Sequence, residues 1–292
     1  MNLDLYLSFH LWPSSLWLVF ITLLGLVVAS FINVVIYRLP LILRREWGEI
    51  ELPKVSLSWP ASHCPSCKMP LRWWHNLPLI SWLIQQGCCV KCKKKISLQY
   101  PLVELAGASL ALLIAWRFGA HLSSLVYLGF ALSLLALAVI DAQTQLLPDK
   151  ITLPLVWAGL TWHWIFSSNT MFNQAFLGAL LGYLSLWSLF CVFKLFTGRE
   201  GMGYGDFKLL AAIGAWLGAP ALVPVVMLAS ISGLLVALVL KLKAKWQGQA
   251  LPFGPHLVVG CLVLLIGGQE LAGWLGLGAW LEIAGWAFQV NF

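Results

Sequence analysis

The sequence predicts an all-α polytopic membrane protein, with about eight transmembrane helices and a cytoplasmic zinc-binding loop domain. Three observations predict it: an apolar composition, a series of uncharged runs of spanning length, and one polar insert carrying paired cysteines. Of 292 residues, 60% are hydrophobic and 10% charged, against about half and about one quarter in soluble chains. One or two soluble domains of this length could not hide so much apolar surface. A soluble globule, a disordered chain and a collagen-like repeat are excluded.

A helix crossing the hydrocarbon needs about 20 apolar residues. Candidate spans lie near residues 14–37, 100–117, 121–140, 152–168, 173–193 and 251–268. The first is longer than a signal-peptide core and has its basic flank, Arg38, on the far side, so a retained span with the N-terminus outside is expected. Residues 209–240 hold no charge. As one helix they would be about 48 Å long, well beyond a hydrocarbon core of about 30 Å. Gly218, Pro220 and Pro224 interrupt the run, and a hairpin is expected, its first arm short or incompletely spanning. With that hairpin 17 of the 18 Lys and Arg face the cytoplasm and only Arg117 faces out, as the positive-inside rule favours.

The net charge is +7, and residues 38–99 alone supply it, with ten Lys or Arg against three acids. A basic insert between apolar spans is a topology signal and calls for no nucleic acid. The expected organisation is a first span in residues 1–37, a cytoplasmic loop at 38–99, a membrane core at 100–268 and an apolar tail at 269–292. Trp274, Trp280, Glu282 and Trp286 in that tail suit an interfacial helix as well as a last span.

Inside the insert stand Cys64-Pro-Ser-Cys67 and Cys89-Val-Lys-Cys92. Paired knuckles of this spacing can place four thiolates around one zinc ion. A reducing cytoplasm disfavours disulfides, and the neighbouring lysines favour thiolates. Four thiolates leave no open coordination position, so the metal would fold the loop and not catalyse. Cys88 is an extra thiol able to compete for it. Cys191 and Cys261, in apolar spans, read as small core residues.

Acids are scarce in the membrane half, and a carboxylate against hydrocarbon is a functional hypothesis by default. Asp141 ends the third span and Asp206 opens the hairpin. Counting crossings places both at cytoplasmic helix ends, at similar depth. Two carboxylates meeting there could share a proton, one activating water while the other polarises a carbonyl, which is aspartic-protease chemistry. Gly203 and Gly205 would let a substrate backbone approach or permit positive φ. Asp149, after Pro148, is an expected N-cap. On a helix Lys208 points away from Asp206. Glu104 is either a first-turn acid or a third member of the site. His121 and His163 read as interfacial, and His256 stays open. A proton-coupled transporter, with Asp141 and Asp206 as relay, is the alternative.

Several stretches together resemble one family. They are Ser30-Phe-Ile-Asn-Val-Val-Ile-Tyr-Arg-Leu-Pro40, the two knuckles with Asn76-Leu-Pro-Leu-Ile-Ser-Trp82 between them, and Tyr100-Pro-Leu-Val-Glu104. Ile140-Asp141, Leu147-Pro-Asp149, Gly203-Tyr-Gly-Asp-Phe-Lys208 and Pro252-Phe-Gly-Pro255 follow. In this order, over residues 25–268, they resemble the bacterial type IV prepilin peptidases, or leader peptidase/N-methyltransferases. Cys88 departs from the pattern, standing where a basic residue is common.

The resemblance implies an aspartic peptidase of the GxGD type in the bacterial inner membrane, its active site facing the cytoplasm. Its members cut the basic leader from type IV prepilins or pseudopilins and methylate the new N-terminal residue with S-adenosylmethionine. It implies Asp141 and Asp206 as catalytic, and Cys64, Cys67, Cys89 and Cys92 as zinc ligands. The expected partners are those substrates and membrane lipid, with no nucleic acid. No residue is assigned to S-adenosylmethionine.

Overall fold

In a computed structural model the structure describes residues 13–49, 55–64, 66–199, 201–243 and 251–274. The assignments made above for Trp280, Glu282, Trp286 and the extreme N-terminus lie outside them. The described residues form no β-strand, only two isolated bridges. The helices are α1 (Ser14–Glu46), a short α2 (Ile80–Ile84), α3 (Gln99–Phe118), α4 (Leu122–Thr144), α5 (Asp149–Phe166), α6 (Asn169–Thr197), α7 (Tyr204–Leu217), α8 (Leu222–Leu242) and α9 (Gly254–Trp274). All but α2 fall on the expected apolar segments. Among the described residues five segments are long and apolar enough to cross a membrane unaided: α1, α3, α4, α6 and α8 with its preceding turn.

Two elements differ in extent from the sequence reading. α1 does not stop near residue 37 but continues through Pro40 to Glu46. Pro40 removes one backbone bond, yet Leu39 and Leu43 on either side remain buried and Arg44 and Arg45 favour the negative helix end. α9 is broken at Gly268, where φ is 57°.

The uncharged run 209–240 is indeed two helices. α7 ends at Gly218, whose φ of 83° suits a residue without Cβ. A single helical turn at Ala219–Ala221 then leads into α8. At 14 residues α7 is about 21 Å long, too short to span a core of about 30 Å.

The chain divides into two compact units, one up to Ala136 and one from Leu137, with the division falling inside α4. In the first unit α1 and α3 cross at small residues. A Cβ added at Gly25 would lie 2.9 Å from the carbonyl oxygen of Gly107, and both glycines face alanines, Ala111 and Ala29. Without a hydrophobic drive between helices in lipid, such small-residue contacts let backbones approach and gain dispersion. The loop between α1 and α3 is tied back at two points. Arg38, buried on α1, donates to the carbonyls of Ser56, Leu57 and Pro60 at 2.9, 3.2 and 2.7 Å. Glu104, buried on α3, accepts from Leu79 N–H at 2.8 Å. Glu104 is therefore a loop anchor within the first unit.

In the second unit α7 is the central helix, with every residue from Leu209 to Leu217 buried. It packs on α6 through Gly178, Gly182 and Gly214, where a Cβ at Gly182 would lie 2.6 Å from the Leu210 carbonyl oxygen. It packs on α5 through Trp216, which donates from Nε1 to the Leu155 carbonyl at 2.9 Å. His163 of α5 meets the Trp216 carbonyl at 3.0 Å and Ser167 Oγ at 3.0 Å. His163 is thus buried and not interfacial. Its role is to satisfy a carbonyl that the end of α7 leaves without a helical donor. α8 packs on α9, and there His256 Nδ1 pairs with Ser232 Oγ at 3.1 Å.

Candidate active site and metal centre

Three segments of the second unit converge on one cavity. α4 carries Asp141 one turn before its end. After Thr144 the chain leaves the helix at Gln145, whose φ is 53°, and runs through Leu146, Leu147 and Pro148 into α5. α7 carries Asp206 in its first turn, behind Gly203 at the N-cap, where the positive end of the helix dipole suits an acid. Asp141 and Asp206 are 5% and 8% exposed, and both line a cavity of about 220 Å³ together with Gln145, Leu147, Asp149 and Gly203. Residues 65 positions apart in the chain are therefore brought to one pocket.

The two carboxylates differ in their partners. Asp141 Oδ2 accepts from the backbone N–H of Gly254 at 3.1 Å. Asp206 Oδ1 is buried with no hydrogen-bond partner among the described residues. A buried polar atom left unpaired is costly and calls for an explanation, such as an incoming ligand or water.

The flanking glycines have separate roles. A Cβ on Gly203 would meet only Asp206 Oδ2, at 3.9 Å, so the space beside that carboxylate is open. A Cβ on Gly205 would lie 2.7 Å from Leu147 Cβ; that space belongs to the protein's own leucine and not to a substrate. Neither glycine has positive φ. Asp149 is also reassigned: Pro148 holds the N-cap position without a side-chain bond, and the Asp149 carboxylate is paired with Lys208 Nζ at 2.7 and 2.8 Å. Gly254 was missed as a site residue. The Pro252-Phe-Gly-Pro255 stretch was its only signal, since the bond comes from the backbone and not from a side chain.

In the first unit the four expected cysteines meet. Their sulfurs all lie within 4.8 Å of one another, with Cys64 to Cys92 at 3.8 Å and Cys67 to Cys89 at 3.9 Å. Zinc–sulfur bonds of about 2.3 Å at tetrahedral angles separate neighbouring sulfurs by about 3.8 Å, so the geometry fits a metal ion. The knuckles repeat one backbone design. Lys68 N–H bonds to the Cys64 carbonyl and Lys93 N–H to the Cys89 carbonyl, each at 2.9 Å, with φ of 57° and 56° at the two lysines. Backbone N–H groups of Cys67 and Ser66 pull the Cys64 thiol down to about 6, whereas burial and the three neighbouring sulfurs push Cys92 up to about 11; four thiolates at this spacing need a cation between them. Cys88 stands outside this group of four; its backbone forms an antiparallel bridge with Lys95, as His63 does with Pro70 ahead of the first knuckle. Cys261 is fully buried and Cys191 partly so.

A buried carboxylate pair on a polytopic helical scaffold, with a tetracysteine cluster in the other unit, is the arrangement expected of a membrane aspartic peptidase. The family models agree: residues 23–118 match the bacterial peptidase A24 N-terminal domain, and residues 128–238 match the type IV leader peptidase family. The chain belongs to the type IV leader peptidase family. Among similar proteins, the prepilin leader peptidase/N-methyltransferase of Pseudomonas putida is 45% identical over 86% of this chain and 90% of its own length. That of Neisseria gonorrhoeae is 42% identical over 88% and 92%, and that of Pseudomonas aeruginosa 44% over 85% and 90%. These likenesses support a peptidase and not the transporter alternative. No solved structure matches the chain significantly.

Proposed function

We propose that the protein is an aspartic endopeptidase that cleaves the basic leader from type IV prepilins or pseudopilins and then N-methylates the new terminal residue. It would work in the bacterial inner membrane, at the cytoplasmic face. The observation that carries the proposal is that Asp141 and Asp206, both buried, line one cavity.

Such a pair supports hydrolysis without a covalent intermediate. A water between the carboxylates would give its proton to the ionised partner and attack the peptide carbonyl. The protonated partner would hydrogen-bond to the carbonyl oxygen as negative charge develops there. The proton returns to the leaving amine as the C–N bond breaks. Like charges in a shared site resist joint ionisation, so the titration belongs to the pair and not to either member. The unpaired Asp206 Oδ1 is suited to meet water or substrate, while Gly254 N–H fixes the rotation of Asp141.

A prepilin leader is basic and is followed by an apolar helix. Its scissile bond would therefore sit where a cytoplasmic tail enters the bilayer; with α5, 18 residues and about 27 Å long, taken as a further crossing, both aspartates would lie at that same face. Zinc is the metal proposed for the tetracysteine cluster, where it would hold the loop in shape. The methyl-transfer half rests on the relatives' names, with S-adenosylmethionine as donor.

Mass spectrometry of a prepilin co-expressed with the full chain tests the proposal. Leader loss and an added methyl group are expected together. Asp141→Asn and Asp206→Asn should each abolish leader loss while the protein still accumulates in the membrane. Full cleavage by either variant would remove that residue from the pair.

A further inference from the structure

Lys208 and Asp149 stand beside the proposed pair, and the sequence gives neither a role in it. Asp149 follows Asp141 by eight residues and Lys208 follows Asp206 by two. Each is thus the nearest charged neighbour, along its own segment, of one of the two buried aspartates. The Lys208 ammonium donates to both Asp149 oxygens, at 2.7 and 2.8 Å. This joins the start of α5 to the N-terminal part of α7, one residue past its first turn.

Between Asp141 and Asp149 the chain makes the Gln145–Pro148 turn, and Leu147 of that turn is wedged between two glycines. A Cβ at Gly205 would lie 2.7 Å from Leu147 Cβ, and one at Gly254 would lie 3.4 Å from Leu147 Cδ1. Gly205 directly precedes Asp206, and Gly254 is the donor to Asp141. The Leu147 seat and the ion pair therefore close the same two segments at adjacent points, one apolar and one charged.

We propose that the Lys208–Asp149 ion pair is a positioning latch, which sets the spacing of the two aspartate-bearing segments across the cavity. The inference rests on Asp141 and Asp206 being the catalytic pair. Stability is not its purpose. Asp149 is 54% and Lys208 28% exposed, and partly exposed pairs contribute little to folding. Position is where a modest tether counts, because a shift of about 1 Å in reacting groups can cost as much as about a hundredfold in rate. The pairing also occupies the one lysine of α7 with a carboxylate other than Asp206, leaving Asp206 Oδ1 unpaired.

The test is steady-state cleavage of a purified prepilin by the full-length protein. Asp149→Asn and Lys208→Gln should each lower kcat about tenfold with KM within about twofold. The double variant should fall no further, since both changes remove the same contact. Asp149→Glu, which keeps the charge, should retain most of the rate. An unchanged kcat in Asp149→Asn, losses that multiply in the double variant, or a rise in KM alone would overturn the latch. Should Asp149→Asn fail to accumulate, Lys208→Gln and Asp149→Glu carry the same test. Asp206→Asn is run alongside. If that variant is active the catalytic pair itself is wrong, whereas an inactive Asp206→Asn with a fully active Asp149→Asn overturns the latch alone.

Discussion

The backbone amide of Gly254 donates to Asp141 Oδ2 at 3.1 Å, across 113 residues of chain. It brings α9 to the site as a further element beside α4, α5 and α7. A backbone donor has little freedom to rotate away, so it orients one carboxylate while the other keeps an unpaired oxygen.

Gly254→Ala follows directly from this geometry. The added methyl would lie 2.5 Å from Asp141 Oδ2 and 3.2 Å from its Cγ, distances that force either the carboxylate or α9 to move. Prepilin cleavage should fall by about a hundredfold or more, with protein abundance little changed. Wild-type rates in an initial-velocity assay would show that Asp141 needs no such orientation.

Metal content gives an independent prediction. Protein purified under reducing conditions should carry about one zinc ion per chain by elemental analysis, as four thiolates in a closed site require. Cys64→Ser and Cys92→Ser should each lose it, while Cys88→Ser should keep it, because Cys88 lies in the bridge to Lys95 and outside the cluster. Metal loss in Cys88→Ser would mean that the ligand register is shifted by one residue.

The helices and the chemistry were legible in the sequence for different reasons. Apolar runs and Gly218 mark helix positions because lipid leaves the backbone few alternatives. Asp141 and Asp206 stood out because charge in a membrane span is rare and costly, and the cysteines because knuckle spacing is set by metal geometry. What stayed hidden depends on tertiary partners. Nothing local to His163 says that it faces the end of α7. Asp149 after Pro148 looks like a cap until Lys208 is seen to reach it. Gly205 suggested room for a substrate, yet Leu147 takes that room. The Gly254 bond is made by the main chain, so residue type could not announce it.

Arg38 anchors the loop, and its removal should release it. The guanidinium serves three carbonyls at once from Nη1 and Nη2. A lysine offers a single point charge and cannot reproduce that fork. In both Arg38→Ala and Arg38→Lys, limited proteolysis within residues 55–60 should speed up roughly tenfold, with Arg38→Ala the faster, since the three loop carbonyls lose their shared charged donor altogether. Equal cleavage rates in all three proteins would show that the loop is held by other contacts.

Gly178→Val tests whether close backbone contact is what seats α7. A Cβ at Gly178 would lie 2.8 Å from the Ala219 nitrogen and closer still to the Gly214 carbonyl. These are backbone atoms, so no rotamer change relieves the clash and α6 must separate from α7. Overpacking of this kind costs about 1–3 kcal/mol, and the thermal midpoint in detergent should drop by roughly 5 °C or more. Gly129→Ala is the control: nothing lies within 4 Å of its added methyl, and helix propensity alone favours it by about 0.5–1 kcal/mol. Because α7 also carries Asp206, the separation caused by Gly178→Val should lower cleavage more than the melting shift alone accounts for, at temperatures where the variant is still folded. An unaltered midpoint in Gly178→Val would mean that the α6–α7 interface has slack and that another contact fixes the depth of Asp206.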